Sequence, residues 1–262
     1  MKTLNICTYN VRNDNLVEGF NNEKIENLYK KLVTDYDIDI LTTQEMIRTT
    51  IDILKEKLTG YRILGNYRYG NSKLVRKIKN LNKYNEANNI ITRLPVLTEK
   101  TTDLPWIPRN IKEILSGTFK YRSITRRIIT EAIIDIEYYG RVRFLNTHLS
   151  HHLKGTTILQ LKRIIKTIKS STIPVVLTGD FNVNVNNKNF KFFIDELEKL
   201  GLKRVEINKR TFKKSKKDNA IDHIFMPKEW KIVKKEVINE EYLENYSDHY
   251  PIFISVIPNN ND

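Results

Sequence analysis

Polar residues follow several apolar, strand-like runs in this chain, and their types could bind a cation or a phosphate. The clearest case is the run over residues 175–182, which is rich in β-branched residues and stops at Gly179 and Asp180. Because side chains alternate along a strand, Asp180 and Asn182 are predicted to point the same way and to line one edge of a pocket. The same residue types also form turns, so this stretch alone leaves both interpretations open.

Other strand-like runs also end or begin with polar residues. Asn10 closes a predicted strand over residues 3–10, and Glu45 lies just after one over residues 38–43. The strand-end residues are Asn10, Glu45, Glu86, His148, Asp180, Asn182, Asp222, Asp248 and His249. Random sequence would scatter such residues, so we expect them to form one site.

One histidine next to this set is predicted to lie outside it. Within the short strand over residues 221–225, the alternation of side chains puts Asp222 on one face and His223 on the other. We therefore assign Asp222 to the site and interpret His223 as structural. His151 and His152 are interpreted as loop residues.

Hydrophobic periodicity predicts the elements that must position these residues. Helices are predicted over residues 21–36, 47–58, 155–170 and 190–200. Strands are predicted over residues 3–10, 38–43, 61–67, 86–95, 128–136, 141–147, 175–180, 221–225, 230–237 and 252–257. The Asn21-Asn22 pair is expected to cap the first helix, and Tyr139-Gly140 to form a turn.

A single domain is expected over residues 1–258, with a disordered tail over residues 259–262. The chain has 262 residues and is 40% hydrophobic, which is enough for a sizeable core. No internal repeat and no long Pro/Gly/Ser linker divides it.

The chain is strongly basic, with 45 Lys and Arg against 31 Asp and Glu and a formal net charge of +14. Such a charge favours polyanions, either nucleic acid or an anionic membrane surface. Two runs concentrate it, over residues 68–85 and 209–217. Each run could be a docking surface or a solvated loop, and A/T-rich coding would also produce a Lys-rich chain, so charge alone decides nothing.

The single cysteine and the N-terminus point to a reducing compartment. Cys7 lies in a strand-like run, which indicates a small core residue and not a disulfide or a zinc site. The N-terminus lacks a signal-peptide pattern, and no segment approaches about 18 consecutive apolar residues. We expect a cytoplasmic monomer without a transmembrane segment, unless a leader was removed before residue 1.

Six short motifs occur in an order that is hard to reach by chance. They are the strand-tip Asn10, Gln44-Glu45, Thr147-His148-Leu149, Gly179-Asp180-Phe181-Asn182, Ile221-Asp222-His223 and Ser247-Asp248-His249-Tyr250-Pro251. Together they resemble the endonuclease/exonuclease/phosphatase family, which includes deoxyribonuclease I, exonuclease III and the apurinic endonucleases. The resemblance spans residues 3–256 and implies an α+β fold, a deoxyribonuclease I-like two-layered β-sandwich flanked by helices.

The resemblance implies hydrolysis of a phosphate ester with Mg²⁺, or with Mn²⁺ in its place. It makes Glu45 the principal metal ligand, with Asn10 assisting and Asp248 as a second metal contact. Asp180 would orient or deprotonate the attacking water, and Asn182 would hold a phosphate oxygen. Such oxygen ligands suit a hard cation.

The resemblance also implies two histidine–carboxylate pairs. His249 is expected to pair with Asp222, and His148 with Glu86. Each carboxylate would fix the tautomer of its histidine and favour the imidazolium.

Two arginines lie near the position where members of the family keep a phosphate-contacting arginine. They are Arg126 and Arg127, just before the strand predicted over residues 128–136. The choice between them stays open, and a solvated arginine pair beside the core is the alternative.

The leading hypothesis is a nuclease that binds nucleic acid, with a DNA endonuclease favoured. It rests on the net charge, the two basic runs and the second histidine–carboxylate pair, which resembles the deoxyribonuclease I arrangement. The rival is a phospholipid-directed hydrolase, either an inositol-phosphate phosphatase or a sphingomyelinase-like diesterase, whose basic surface would meet anionic lipid. The stretch over residues 221–224 differs from the Trp-Cys-Asp-Arg pattern of the inositol group. A binding module without catalysis is the third alternative, although no member of the polar set is missing.

Overall fold

The computed structural model describes residues 2–12, 21–70, 85–105, 126–151, 154–215 and 219–259. In these ranges the strands are β1 (Leu4–Asn10), β2 (Ile40–Met46), β3 (Arg62–Leu64), β4 (Ala87–Thr92), β5 (Val96–Asp103), β6 (Ile128–Ile136), β7 (Gly140–His148), β8 (Val175–Asp180), β9 (Leu202–Arg204), β10 (Asp222–Pro227), β11 (Lys231–Val237) and β12 (Ile252–Ile257). The helices are α1 (Asn22–Asp35), α2 (Arg48–Lys57), α3 (Lys154–Lys169), α4 (Lys188–Lys199) and a short 3-10 helix at Glu241–Leu243.

The strands form two six-stranded mixed sheets. Sheet I has the order β11-β12-β1-β2-β4-β3, and sheet II has the order β5-β6-β7-β8-β10-β9. The inner faces of the two sheets pack against each other, and helices cover the outer faces. The predicted α+β fold, a two-layered β-sandwich flanked by helices, is confirmed.

The core has three layers, because each sheet is apolar on both faces. Ile40 of sheet I and Phe144 of sheet II belong to the cluster between the sheets. Leu41, next to Ile40, belongs instead to the cluster under α1 and α2, and Leu177 to the one under α3 and α4. Each such side chain contributes roughly 1.5–3 kcal/mol of hydrophobic stabilisation when fully buried.

Each sheet contains one central parallel pair joined by a helix. β1 and β2 are parallel, with α1 between them in the chain, and β7 and β8 are parallel, with α3 between them. A parallel pair needs such a crossover, and its two strands end at the same edge of the sheet. The register places Asn10 beside Gln44 and His148 beside Asp180.

The neighbours of these pairs run antiparallel and therefore begin where the parallel strands end. β4 pairs with β2, β6 with β7, and β10 with β8. The residues at their starts are Glu86, Arg127 and Asp222, and Asp222 lies directly opposite Asp180. The topology thus collects the predicted polar residues at one end of the sandwich.

The predicted helices and strands are present, with ends shifted by a few residues, and Asn21 caps α1 through its side chain. The predicted strand over residues 61–67 is short, at Arg62–Leu64, and that over residues 38–43 continues through Glu45 as β2. β5 and β9 were not predicted. β5 is a mostly exposed edge strand, and β9 has only three residues, so neither gives a clear apolar alternation.

Several predictions concern residues outside the described ranges. Residues 71–84 of the first basic run, 216–217 of the second, His152 and residues 260–262 of the tail lie there. Among the described helices, none has the length and apolarity required to span a membrane.

Candidate active site

One carboxamide joins the two sheets at the centre of the candidate site. Asn10, at the end of β1, donates from Nδ2 to Asp180 Oδ2 at 2.8 Å and to Glu45 Oε1 at 3.2 Å. Its own Oδ1 accepts the backbone N–H of Arg12 at 2.9 Å. Asn10 therefore holds a carboxylate from each sheet in fixed relative positions.

Asp180 is buried, with 1% of its surface exposed. Its Oδ1 accepts the backbone N–H of Asn182 at 2.8 Å, and its Oδ2 accepts from Asn10. Burial and the neighbouring Asp222 raise the pKa of Asp180 to about 6, against the opposing effects of His249 and the hydrogen bonds. At neutral pH this carboxylate is ionised, yet it can accept a proton.

Asn182 lies next to Asp180 for a different reason from the predicted one. β8 ends at Asp180, and Asn182 has a positive φ of 54°, so strand alternation does not extend to it. Its side-chain amide donates to the carbonyl of Leu149 at 2.9 Å. The side chain is thus positioned by the turn after β8.

The predicted pair of His249 and Asp222 is present. His249 Nδ1 lies 2.9 Å from Asp222 Oδ2, and His249 Nε2 lies 3.8 Å from Asp180 Oδ2. Burial alone would lower the pKa of His249, but the carboxylates of Asp222, Asp180 and Asp248 raise it to about 10. His249 is therefore an imidazolium at neutral pH.

The second histidine has an arginine as its partner, and its predicted pairing with Glu86 is wrong. His148 Nδ1 lies 2.9 Å from Arg127 Nη1, and Nε2 lies 3.5 Å from Asp180 Oδ2 and 3.8 Å from Glu45 Oε1. Burial, followed by Arg127, lowers the pKa of His148 well below its usual range. Because a guanidinium can only donate, Nδ1 accepts, and the neutral ring carries its proton on Nε2. The expected imidazolium is thus also wrong.

Glu86 instead forms an ion pair with Arg68. Glu86 Oε2 lies 2.9 Å from Arg68 Nη2, and both side chains are largely buried. Glu86 also raises the pKa of Glu45, so its charge acts within the site. In the sequence, Arg68 belongs to the first basic run. Its place in the site comes from the fold, because its backbone N–H donates to the carbonyl of Glu86 and so holds it opposite the start of β4.

The surroundings of Glu45 fit a divalent cation. Burial and the nearby Glu86 and Asp180 raise its pKa to about 7, although Arg127 and the hydrogen bond from Asn10 lower it. Carboxylates that repel one another form the kind of oxygen-rich set that a hard cation stabilises. Glu45 is therefore the residue that could hold the metal, and Asn10 could assist through Oδ1, the atom of its carboxamide that can coordinate a cation.

A second group of possible ligands fits less well. In the described ranges, ligand atoms of Asp180, Asp222 and His249 lie within 4.8 Å of one another. His249 is protonated and hydrogen-bonded to Asp222, and an imidazolium has no lone pair to give to a metal. Asp180 is the member of this group that is close enough to Asn10 to join the Glu45 set.

Asp248, expected as a second metal contact, lies beside two basic side chains. Its Oδ2 is 3.5 Å from Arg12 Nε and 4.0 Å from Lys214 Nζ. These cations occupy the neighbourhood that a metal ion would need, so we leave Asp248 outside the metal set.

The structure separates the two candidate arginines. Arg127 is 5% exposed and contacts His148, whereas Arg126 is half-buried and pairs with Asp103. Burial lowers the pKa of Arg127. Its Nε is buried and has no hydrogen-bond partner among the described residues. Arg127 is the arginine of the site.

Thr211 is a positioning residue that the sequence did not single out. It is fully buried, and its Oγ1 accepts the backbone N–H groups of Ile221 and Asp222 at 3.1 and 3.2 Å. Its carbonyl accepts the N–H of Tyr250 at 2.7 Å. The next residue, Phe212, forms a β-bridge with His249. Thr211 and Phe212, within the second basic run, thus link Asp222 to His249.

His223 lies outside the site, as predicted. Its Nε2 lies 2.9 Å from the carbonyl of Val183, and its ring packs 4.7 Å from the ring of Phe190 and 5.6 Å from that of Phe181. The ring therefore belongs to the core under α4.

Comparison with solved structures finds this architecture in several proteins. An endonuclease/exonuclease/phosphatase protein from Bacteroides vulgatus superposes with a TM-score of 0.78 at 22% identity, over 99% of this chain and 100% of that one. A mannosyl-6-phosphatase from Bacteroides thetaiotaomicron gives 0.70 at 20% identity, over 97% and 99%. TDP2 from D. rerio, complexed with a single-strand DNA product, gives 0.67 at 14% identity, over 98% and 100%. No curated protein matches the sequence significantly.

A two-sheet sandwich with carboxylates, amides and histidines at the shared end of its parallel strands defines a deoxyribonuclease I-like hydrolase. Residues 7–249 match the model of the Endonuclease/Exonuclease/phosphatase family. The chain belongs to this family of phosphoric ester hydrolases, which generally depend on a divalent metal.

Proposed function

We propose that the protein is a divalent-metal-dependent phosphodiesterase that cleaves nucleic acid. Among nucleases, we favour a DNA endonuclease. The observation that carries this proposal is the position of residues 209–215, the described part of the second basic run. Phe212 forms a β-bridge with His249, and Lys214 Nζ lies 4.0 Å from Asp248 Oδ2, so this part of the run borders the candidate site. A phosphodiester polymer presents further phosphates on either side of the cleaved bond, and basic side chains beside the site can bind these phosphates.

The charges around this run suit a polyanion. Lys214 and Arg12 both approach Asp248, whereas Lys213 Nζ donates to the carbonyls of Leu243 and Glu244. The chain as a whole carries a formal charge of +14. Basic side chains beside a site of carboxylates guide an anionic substrate towards it and balance the acidic groups.

Asp180 is proposed to take a proton from the attacking water. Its two oxygens are held by Asn182 and Asn10, and its pKa of about 6 keeps it ionised at neutral pH. Proton transfer to a positioned base contributes about 10²–10⁴ in rate. As the water oxygen bonds to phosphorus, its proton passes to Asp180.

His249 is proposed to protonate the leaving oxygen as the bond from that oxygen to phosphorus breaks. Its pKa of about 10 lies well below that of an alcohol, so proton transfer to an alkoxide is favourable. His148, neutral with its proton on Nε2, and the buried Arg127 would donate hydrogen bonds to the phosphoryl oxygens. The base is therefore a carboxylate, Asp180, and the acid is a histidine, His249.

Glu45 and Asn10 are proposed to hold the metal ion, Mg²⁺ or Mn²⁺, with Asp180 close by. When bound, the ion supplies positive charge to the phosphoryl group as negative charge builds there. The ion would also compensate the negative charge of the carboxylates around Glu45.

The proposal is tested with plasmid DNA, single-stranded DNA and RNA, each with Mg²⁺, Mn²⁺ or EDTA. We expect metal-dependent cleavage and a loss of at least about 10² in rate for Glu45→Gln and for His249→Ala. Lys166→Ala, on the exposed surface of α3, is the matched control and should leave the rate unchanged.

Two further substrate classes serve as competing outcomes. Phosphate release from sugar phosphates, or phosphate or phosphocholine release from lipid vesicles, without nucleic acid cleavage would replace the nuclease with a small-molecule or phospholipid-directed enzyme. Binding of nucleic acid with no hydrolysis of any substrate would point to a module without catalysis.

A further inference from the structure

A polar side chain lies in the apolar layer between the two sheets, directly below the candidate site. Asn146 of β7 is fully buried. Its Nδ2 donates to the carbonyls of Thr43 and Asn89, both at 2.8 Å, and its Oδ1 accepts from Gln44 Nε2 at 2.8 Å. All three hydrogen bonds cross from sheet II to sheet I.

The two carbonyls belong to facing residues at an irregularity in sheet I. Thr43 of β2 pairs with Asn89 of β4, but the next pair is Met46 with Ala87. β2 therefore has one residue more than β4 between these pairs, which is a β-bulge. Glu45 lies in this bulge with a positive φ of 64°, a conformation that residues with a Cβ rarely adopt.

The bulge reverses which side chains of β2 face which side of the sheet. Ile40 lies in the core between the sheets, and Leu41 in the core under the helices. Regular alternation would put residue 46 on the side of Ile40, but Met46 lies with Leu41 under the helices. The reversal falls at Glu45, which would otherwise point towards the helices and away from Asn10.

We propose that Asn146 is a positioning residue that stabilises this bulge and thereby orients Glu45. Its carboxamide donates hydrogen bonds to both carbonyls of the Thr43–Asn89 pair, where the regular ladder stops. Without it both carbonyls would lose the donor that reaches them from the second sheet, and the bulge would lose the hydrogen bonds that tie it to β7.

Asn146 also sets the distance between the two halves of the site. On β7 it lies two residues before His148, and His148 Nε2 is 3.8 Å from Glu45 Oε1. The hydrogen bonds to Thr43 and Gln44 tie the residues just before Glu45 to this same strand. A substitution at Asn146 should therefore change the position of Glu45 relative to sheet II, although Asn146 itself does not contact a substrate.

This inference rests on the proposed role of Glu45 as a metal ligand, and its test is a Mn²⁺ titration of the metal-free protein by calorimetry. Asn146→Ala should weaken Mn²⁺ binding roughly 10–100-fold, the usual cost of losing a residue that orients a ligand. Asn146→Ser keeps one hydroxyl donor and should lose less. Ile134→Ala removes a buried side chain from the same layer and should retain the wild-type affinity.

Each variant is measured at a temperature at which circular dichroism shows it folded, and if Asn146→Ala does not fold, the comparison is made with Asn146→Ser. An Asn146 variant that binds Mn²⁺ as tightly as Ile134→Ala would overturn the inference. Glu45→Gln in the same titration separates the two proposals. If Glu45→Gln loses affinity and the Asn146 variants do not, only the inference fails; if Glu45→Gln binds normally, the metal assignment fails and the inference with it.

Discussion

The titratable residues of the site differ widely in pKa because each has a different set of neighbours. His249 has carboxylates around it and stays protonated, whereas His148 faces an arginine and stays neutral. Asp180, between them, has a pKa of about 6. One group is therefore ready to accept a proton and another to donate one, which is the separation that acid–base catalysis requires.

We expect kcat/KM to rise with pH as Asp180 ionises near pH 6 and to fall as His249 loses its proton near pH 10. Asp222→Asn removes the anion that raises the pKa of His249, so its alkaline limb should move to lower pH. The measurement is a pH–rate profile of both proteins in saturating metal. An alkaline limb that does not move in Asp222→Asn would contradict the assignment of His249.

His223→Asn should lower stability by about 1–3 kcal/mol and leave kcat unchanged, because the ring is part of the core under α4. Burial lowers its folded pKa from 6.5 to about 4. The wild type is then fully stabilised by the neutral ring above pH 6.5 and loses this contribution, up to about 3 kcal/mol, as the pH falls towards 4.

Urea unfolding of both proteins from pH 7 to pH 4 checks this prediction. The difference in unfolding free energy between wild type and His223→Asn should shrink as the pH falls. A variant that keeps its stability and loses its activity would instead assign His223 to catalysis.

Among the elements, the two parallel pairs do most to build the site, because each brings two strand ends together. The pair of β7 and β8 depends on a close approach at Gly179, which lies opposite Thr147. A Cβ at Gly179 would lie 2.0 Å from the carbonyl oxygen of Thr147, and its φ of +146° is rare for other residues. No residue with a side chain fits there without moving the strands.

Gly179→Ala should therefore destabilise the protein by at least about 2 kcal/mol more than Gly201→Ala. Gly201 also has a positive φ, of +81°, but nothing lies within 4 Å of a Cβ built there, so it is the matched control for backbone strain alone. Equilibrium unfolding in urea measures both. Equal losses for the two variants would mean that the strands separate easily and that the contact is unimportant.

Element types and most of their bounds could be predicted because apolar runs and amphipathic periods mark them directly. The bulge in β2 could not, since Gln44-Glu45 looks like the end of an ordinary strand. It depends on a hydrogen-bonding side chain from the other sheet, about 100 residues away along the chain. Such a contact leaves no local pattern in the sequence.

At the scale of the whole molecule, the positive charge becomes informative only where the fold places it. Phe212 forms a bridge with His249, Lys214 approaches Asp248, and Arg68 and Arg127 are paired within the site. A net charge of +14 by itself fits nucleic acid and anionic lipid equally well. The position of Lys214 beside Asp248 is what favours a polymer of phosphodiesters.

Lys214→Ala should weaken DNA binding and reduce the salt slope of log K by about one phosphate contact, with little change in kcat. Its side chain is 66% exposed, so loss of a fold contact is not expected. Binding is measured by fluorescence anisotropy at several salt concentrations, with Lys166→Ala as the control on α3. A slope equal to that of the control would remove Lys214 from the binding surface.

The ordered motifs and the polar residues at the strand ends could be identified from the sequence, because local runs of apolar and polar residues mark them. The sandwich followed from the family that these motifs resemble. The tertiary structure alone decided which side chains are partners. Arg127 lies against His148, Arg68 pairs with Glu86, and Asn146 supports the bulge at Glu45. Arg127 meets His148 through the pairing of β6 with β7, and Arg68 lies opposite Glu86 at the start of β4. Asn146 reaches β2 and β4 only because the two sheets pack against each other, which brings residues about 100 positions apart within hydrogen-bonding distance.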